Sequence, residues 1–377
     1  MKRQTLRPRA DWQARVESQG LVFHTPDGNP YWDESACYHF DSCEIDLLEA
    51  ATAELQRICL EAGQFIIDND RFDDLKIPVP ARAVIRQAWE AEPPSIYGRF
   101  DLSYDGVNPP KLLEYNANTP TSLLEASVVQ WHWRQDVKPS TDQFNSIHEK
   151  LISQWADIRP YVKGERLCFA SMRNTEDALT LAYLRDTAEQ GGIRTASLIV
   201  DELGWNAQAW QFRDLEETRI QSLFALYPWE WLLKDFGTEI LETYTDTVWI
   251  EPIWKMMWSN KALLAILWEM FPGHPNVLEA HLDGPHSMAE YVKKPLLSRE
   301  GGNVTVHRRA GEVTTPGTYG PEGFVWQALA PEAVFEGRRP VLGSWVVTDR
   351  GPAGMGIRES AGLVTDNRST FVPHYFD

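Results

Sequence analysis

The chain has 377 residues and a formal net charge of −18, from 54 acidic against 36 basic side chains. That length allows a large core in two or three lobes, and 43% hydrophobic content with 16 Trp, 15 Phe and 12 Tyr supplies the apolar area to fill it. The charge argues against a broad nucleic-acid footprint, which needs clustered Lys and Arg, and no run of about 18 uncharged apolar residues is present to cross a bilayer. The basic start MKRQTLRPRADWQARV leads into Asp, Trp and Gln, not into the apolar stretch of a secretory signal. Four cysteines, Cys37, Cys43, Cys59 and Cys168, form no CxxC pair, and His39 stands at no usual zinc spacing. Reduced, buried thiols and the absence of an address predict a cytoplasmic protein.

In chain order, residues 41–68 place apolar side chains at helical spacing behind a possible Asp41 or Ser42 cap, and predict one long amphipathic helix. A second helix over 81–92 is stopped by Pro93-Pro94. Two strands follow, IYGRFDLSY and KLLEYNA, joined through Asp105-Gly106. Residues 121–133 read as helical, and 138–142 as a connection between lobes. From Arg166 the order strand, helix, strand (RLCFASM, TEDALTLAYLRDTAEQGG, TASLIVDEL) is an α/β signature. Residues 251–271 read as mainly helical. The last hundred residues return to strands in YVKKPLL, NVTVHRR, GFVWQAL, PVLGSWVVTD and GMGIRES. No internal repeat or low-complexity tract interrupts the chain.

Asp101, Glu114 and Asn116 carry the first chemical signal. Mg²⁺ takes hard oxygen ligands and only a few from protein, so two carboxylates and an amide fit it. Positions 114 and 116 share one face of a strand, which lets Glu114 bridge two ions while Asn116 reaches one. A solvated strand face with an Asn-driven turn at 116–118 explains the same residues. Lys293 and Lys294 leave opposite faces of their strand, so one enters a cleft and the other is solvated. The loop Ser298-Arg299-Glu300-Gly301-Gly302-Asn303 has backbone N–H groups that could close over phosphates, although a plain hairpin has the same composition. It is not a P-loop, since no GxxxxGK[ST] precedes a helix. Lys261 is a second phosphate-side candidate or a helix-surface lysine. Arg99, on the face of Asp101, and Arg358 could neutralise charge on a transferred phosphoryl group, or act as ion-pair partners. Glu176, at a strand-to-helix turn, could take an amine, or answer the helix dipole.

Taken together, Arg99 and Asp101 in YGRFDLSYDG, Glu114 and Asn116 in LLEYNANTPT, Glu176 in SMRNTEDA, Lys261 in WSNKALLAILWEMFPGHP, Lys294 in YVKKPLL and Arg358 in GMGIRES resemble the synthetase domain of the glutathionylspermidine synthase family, a branch of the ATP-grasp ligases. The resemblance covers most of the chain and includes metal ligands that precede the nucleotide lysines. It implies an α/β (α+β) ATP-grasp-type fold with a pre-ATP-grasp lobe. The chain, 1–377, would be a single unit with approximate lobes at 1–137, 138–250 and 251–377, and ATP between two β-rich lobes.

The resemblance further implies that Lys261 and Lys294 contact ATP, with Gly301 and Gly302 over its phosphates and the Gln327-Ala328-Leu329 backbone reading adenine. Asp101 and Glu114 would hold one Mg²⁺, and Glu114 and Asn116 the other. Arg99 and Arg358 would steady phosphoryl and carboxylate charge during acyl-phosphate formation and amide synthesis. The partners would be a small-molecule or peptide carboxylate and an amine such as a polyamine, with a homodimer compatible. Two departures stand out. No room for an amidase domain precedes Asp41, so no amide hydrolysis is expected, and the hydroxyl residues after EYNA are Thr119 and Thr121 around Pro120. The alternatives are a Mg²⁺-dependent hydrolase or phosphatase and a non-catalytic ATP-binding regulatory protein. The first leaves Lys261 and Lys294 unexplained, and the second needs no such complete set.

Overall fold

The segment with helical apolar spacing forms a 27-residue α-helix, Ser42–Asp68. The structure, a computed structural model, describes residues 1–365 and 369–377. The Glu44 carboxylate accepts the Asp41 N–H at 2.9 Å and closes the first turn. Ile45, Leu48, Leu55, Ile58, Ala62 and Ile66 recur every three or four residues or at multiples of that spacing, and all are buried. The buried face rests on the strands Arg339–Val347 and Gly351–Ser360, where Thr52 Oγ1 meets Ser344 Oγ at 2.6 Å. Gly63 lets the indole of Trp89, from the helix Val79–Ala91, come against the long helix, since an added Cβ would meet Trp89 Cη2 at 2.4 Å.

The α/β segment folds as read. Leu167–Ser171 and Thr195–Ile199 are parallel neighbours connected by the helix Thr175–Gln190, and Ser222–Leu226 and Val248–Ile250 complete a four-stranded parallel sheet. Two five-stranded antiparallel sheets carry most of the remaining strands. One has the order Ala280–His281, Phe324–Ala328, Tyr291–Pro295, Thr305–Arg308, Gly311–Thr314. The other runs Thr370–Phe371, Gly351–Ser360, Arg339–Val347, Tyr97–Ser103, Lys111–Asn116. Lys2–Thr5, Ala36–Phe40 and His374–Phe376 form a small sheet that ties the two ends of the chain together. Among the described residues, no helix is long and apolar enough to cross a membrane.

Two helical expectations are refined. Residues 251–271 form a 3₁₀ turn, Ile253–Lys255, then the short helices Met256–Ser259 and Leu263–Met270, with an extended Asn260 between them. Asn260 leaves the helix because its side chain competes with the backbone: Oδ1 accepts the Ala262 N–H at 2.9 Å and Nδ2 donates to Leu75 O at 2.7 Å. Lys261 sits at this break rather than on a continuous helix face. Within 121–133, a π-helical stretch, Glu125–Val129, precedes the α-helix Gln130–Val137.

Candidate active site

Strand periodicity puts Arg99 and Asp101 on one face of Tyr97–Ser103, and Glu114 and Asn116 on one face of Lys111–Asn116. The register sets Arg99 opposite Asn116 and Asp101 opposite Glu114, so the four side chains make a two-by-two block. Arg99 clamps Asp101 in a fork, Nε to Oδ1 at 2.6 Å and Nη2 to Oδ2 at 3.0 Å, while its Nη1 donates to Thr121 O at 2.7 Å. Asn116 Nδ2 lies 3.3 Å from Asp101 Oδ2 and 3.2 Å from Glu114 Oε1. Arg358 reaches in from the Gly351–Ser360 strand, with Nη2 at 4.0 Å from Asp101 Oδ2. The Arg99 stem lies across Gly343, where a Cβ would meet Arg99 Cδ at 2.7 Å.

Two lysines face the block from outside its sheet. Lys261 Nζ is 3.1 Å from Glu114 Oε2 and donates to Ser298 O at 2.6 Å. Lys294 is buried, and its Nζ donates to Leu113 O at 2.8 Å and to Gln327 Oε1 at 2.7 Å. The Leu113 carbonyl is available because the register slips between Asp101 and Leu102, leaving Leu113 as an extra residue opposite them. The Gln327 amide is fixed in turn by donating to Leu112 O at 2.9 Å. Burial pushes Lys294 down to about 8, partly offset by Glu114. For Glu114 burial acts upward, but Lys261 and Lys294 outweigh it and hold the carboxyl at about 2. Lys293 leaves the other face as read, yet its ammonium lies over the Phe324 ring, 4.0 Å from the centroid, rather than in open solvent.

These groups open into one cleft of about 660 Å³, which is also lined by Thr119, Thr121, Glu176, Gly301 and the 327–329 segment. Gly302 stands outside its lining. The backbone N–H groups of Ala328 and Leu329 are already committed, to Glu279 O at 2.7 Å and to Glu290 O at 3.2 Å. Reading of a base by these two positions therefore narrows to their carbonyl oxygens. Glu176 is in the first turn of Thr175–Gln190, a helix capped by Asn174 Oδ1 accepting the Asp177 N–H at 2.8 Å. Burial raises the neighbouring Asp177 carboxyl, the Asn174 hydrogen bond opposes, and Glu176 adds to the rise.

A model of the glutathionylspermidine synthase preATP-grasp family matches residues 3–377. The chain belongs to that family. A Haemophilus influenzae protein provisionally named acid–amine ligase is 39% identical over the whole of both chains. Trypanothione synthetase of Crithidia fasciculata is 27% identical over 82% of this chain and 51% of its own length. The bifunctional glutathionylspermidine synthetase/amidase of Escherichia coli is 25% identical over 78% of this chain and 52% of its own. The chain thus spans about half the length of these last two relatives. A glutathione synthetase-like effector from Globodera pallida superposes with a TM-score of 0.58 at 12% identity, covering 97% of this chain and 96% of that one, a likeness of fold alone.

The residue types of this family member suit a hard divalent cation: two carboxylates and an amide side chain stand together on one face of a strand pair, with Asp101 held by the Arg99 fork. Asn116 presently turns its Nδ2 toward both carboxylates, so ligation through Oδ1 requires the amide to rotate by half a turn. Sequence reasoning missed several groups at the cleft. Arg299 Nη2 donates to Thr119 Oγ1 at 2.9 Å, and its guanidinium stands 5.5 Å from the Trp231 ring centre. The cation next to the Gly301-Gly302 turn was the available signal for Arg299. The Gln327 side chain was overshadowed by its backbone, and Trp231, 130 residues from Asp101 in sequence, gave no signal.

Proposed function

We propose that this chain is an ATP-dependent carboxylate–amine ligase that activates a small-molecule or peptide acid as an acyl phosphate and transfers the acyl group to an amine. The observation that carries the reading is the meeting, in one cleft, of the Arg99, Asp101, Glu114 and Asn116 block with Lys261, Lys294 and Arg358. The acid–amine ligase and synthetase names of the relatives support it.

In this reading a substrate carboxylate oxygen attacks the γ-phosphorus of ATP, and the bond to the β-phosphate oxygen breaks to release ADP. The amine nitrogen then attacks the acyl carbon, phosphate leaves, and the nitrogen gives up a proton as the amide forms. Arg99 and Arg358 hold the acid and the phosphoryl oxygens through their guanidinium groups. Lys261 and Lys294 hold the nucleotide phosphates, the loop bearing Gly301 and Gly302 covers them, and the 327–329 segment borders the base. Thr119 and Thr121 line the acid, and Glu176 takes the amine. Two Mg²⁺ ions, one on Asp101 and Glu114 and one on Glu114 and Asn116, would neutralise phosphate charge. ATP would lie between two β-rich parts, the sheet that carries Lys294 and the sheet that carries Asp101 and Glu114, and the reaction would be cytoplasmic.

The test is coupled ADP release with Mg-ATP, across thiol peptides, dipeptides and other carboxylates, each with and without polyamines or amino acids, with Glu114→Gln as the blank. ADP formed only when acid and amine are both present establishes the ligase. ATP hydrolysis indifferent to both would instead support a metal-dependent hydrolase, a reading that gives Lys261 and Lys294 no task.

A further inference from the structure

Behind the two arginines the cleft wall has a second hollow of about 10 Å³, room for one water-sized atom, lined by Arg99, Asp101, Ser122, Gly343, Trp345 and Arg358. Asp101 is already clamped by the Arg99 fork, and Ser122 is the neutral hydroxyl of this wall, beside the Trp345 indole. Ser122 is buried with φ +64°, a left-handed conformation that costs a non-glycine residue on the order of 1 kcal/mol. Its Oγ is 3.0 Å from the Tyr31 hydroxyl, which donates to Glu125 Oε1 at 2.7 Å. Tyr31 and Glu125 are both buried, and Glu125 opens the π-helical stretch.

The chemistry of this chain of three follows from proton counting. A phenol has one proton. While Glu125 is ionised, Tyr31 gives that proton to the carboxylate, Ser122 donates to the Tyr31 oxygen, and only Ser122 lone pairs face the hollow. When Glu125 is protonated it donates to Tyr31, Tyr31 donates to Ser122, and the Ser122 O–H is released toward the hollow. An anion oxygen held there by Arg99 and Arg358 favours the second arrangement, because it needs a donor.

We propose that Ser122 is a further anion contact at the acid-binding end of the cleft, and that Tyr31 and Glu125 are its positioning residues, with a proton taken up at Glu125 as the anion binds. Identifying the anion with the substrate acid or its phosphoryl group rests on the ligase reading; the anion contact itself does not. The groups facing Glu125 are compatible with a proton exchanged near neutrality. Burial raises its carboxyl to about 7, the Tyr31 hydrogen bond opposes, Glu176 adds to the rise, and Arg358 opposes it.

The probe is inorganic sulfate, which carries no titrating proton near pH 7, so that proton uptake belongs to the protein. Sulfate binding to the full chain is measured calorimetrically at pH 7.5, with and without Mg-ADP, in Hepes and in Tris, whose ionisation enthalpies differ. The parent is expected to take up part of a proton per sulfate bound. Ser122→Gly, which suits φ +64°, should weaken sulfate roughly tenfold, the scale of one hydrogen bond to a charged group. Tyr31→Phe and Glu125→Gln should both lose the proton uptake, and thermal melting checks that all variants fold. Sulfate binding unchanged in Ser122→Gly, uptake that persists in Glu125→Gln, or a parent that binds no sulfate would overturn the proposal. A parent that binds sulfate with its proton but does not bind Mg-ADP would uphold the anion contact and sink the ligase reading.

Discussion

Lys294→Met should leave stability at pH 7 within about 1 kcal/mol of the parent while weakening Mg-ATP on the order of a hundredfold, about 2.7 kcal/mol for a buried lysine–phosphate contact. The near-neutral stability comes from two opposed effects. Burial lowers the Lys294 ammonium from 10.5 to about 8, and 2.5 units at about 1.36 kcal/mol each cost the fold roughly 3.4 kcal/mol while the group is charged. Methionine removes that cost but forfeits the hydrogen bonds to Leu113 O and Gln327 Oε1, about 1.5 kcal/mol each. The sign of the pH dependence follows. The folded pKa lies below the unfolded one, so between about pH 8 and 10.5 the unfolded chain binds the extra proton and stability rises with pH. From pH 7 to 9.5 the parent should gain roughly 2 kcal/mol that the variant lacks. Urea unfolding of both proteins at the two pH values measures this difference, and calorimetry measures Mg-ATP. A variant several kcal/mol less stable at pH 7, with the same pH dependence as the parent, would refute the desolvation argument. Unchanged Mg-ATP affinity would remove Lys294 from the nucleotide site.

Glu114→Gln should abolish acid- and amine-dependent ADP release without unfolding the chain, and residual turnover in pure protein would remove the metal assignment. Lys293→Ala loses contacts over the Phe324 and Trp326 rings, about 0.5–1 kcal/mol each, and so should weaken Mg-ATP far less than Lys294→Ala; equal effects would mean the wrong strand face was chosen. Gly343→Ala puts a Cβ 2.7 Å from Arg99 Cδ and should displace the guanidinium from its fork on Asp101. It should reduce kcat about a hundredfold, the scale of a 1 Å misplacement, while Gly204→Ala, with only an ordinary 3.5 Å contact to Arg213 O, serves as control. Gly63→Ala would gain about 1 kcal/mol of helix propensity at an open site, but against Trp89 overpacking should make it a net loss of 1–3 kcal/mol in urea unfolding; a stabilised variant would show that the indole moves freely.

Local periodicity made part of this site legible. Arg99 with Asp101 and Glu114 with Asn116 are two residues apart on segments joined through Asp105-Gly106, so each pair had to share a strand face. The alternation at Lys293-Lys294 likewise gave one inward lysine. The register was not legible, because it depends on the extra residue at Leu113, whose carbonyl is taken by Lys294 from 181 positions away. The break at Lys261 was hidden for a related reason: Asn260 sits in an apolar run that reads as helix, and its bonds to Leu75 and Ala262 hold it extended while it stays buried.

The same distinction explains why the Tyr31, Ser122 and Glu125 chain left no trace in the sequence. Ser122 and Glu125 lie 91 and 94 residues from Tyr31, and each alone is an ordinary residue of a loop or helix. Their meeting depends on the segment after Asn116, which leaves its strand, passes Thr121 O to Arg99, and turns at Ser122 through positive φ. One short stretch, 114–125, therefore delivers in succession two of the proposed metal ligands, a carbonyl that anchors Arg99, and the hydroxyl and carboxylate behind the arginine pair. Metal and acid positions on such a stretch cannot move independently. A substitution that shifts the 119–122 turn should perturb both, whereas one confined to Lys261 or Lys294 should act on the nucleotide while sparing the anion contact. Comparing sulfate and Mg-ATP affinities in Ser122→Pro, whose ring fixes φ near about −65° where the turn has +64°, and in Lys294→Met separates the two: sulfate weakened beyond the Ser122→Gly level in the first and kept in the second is the expected pattern, and the reverse would show that the turn is not what places the arginines.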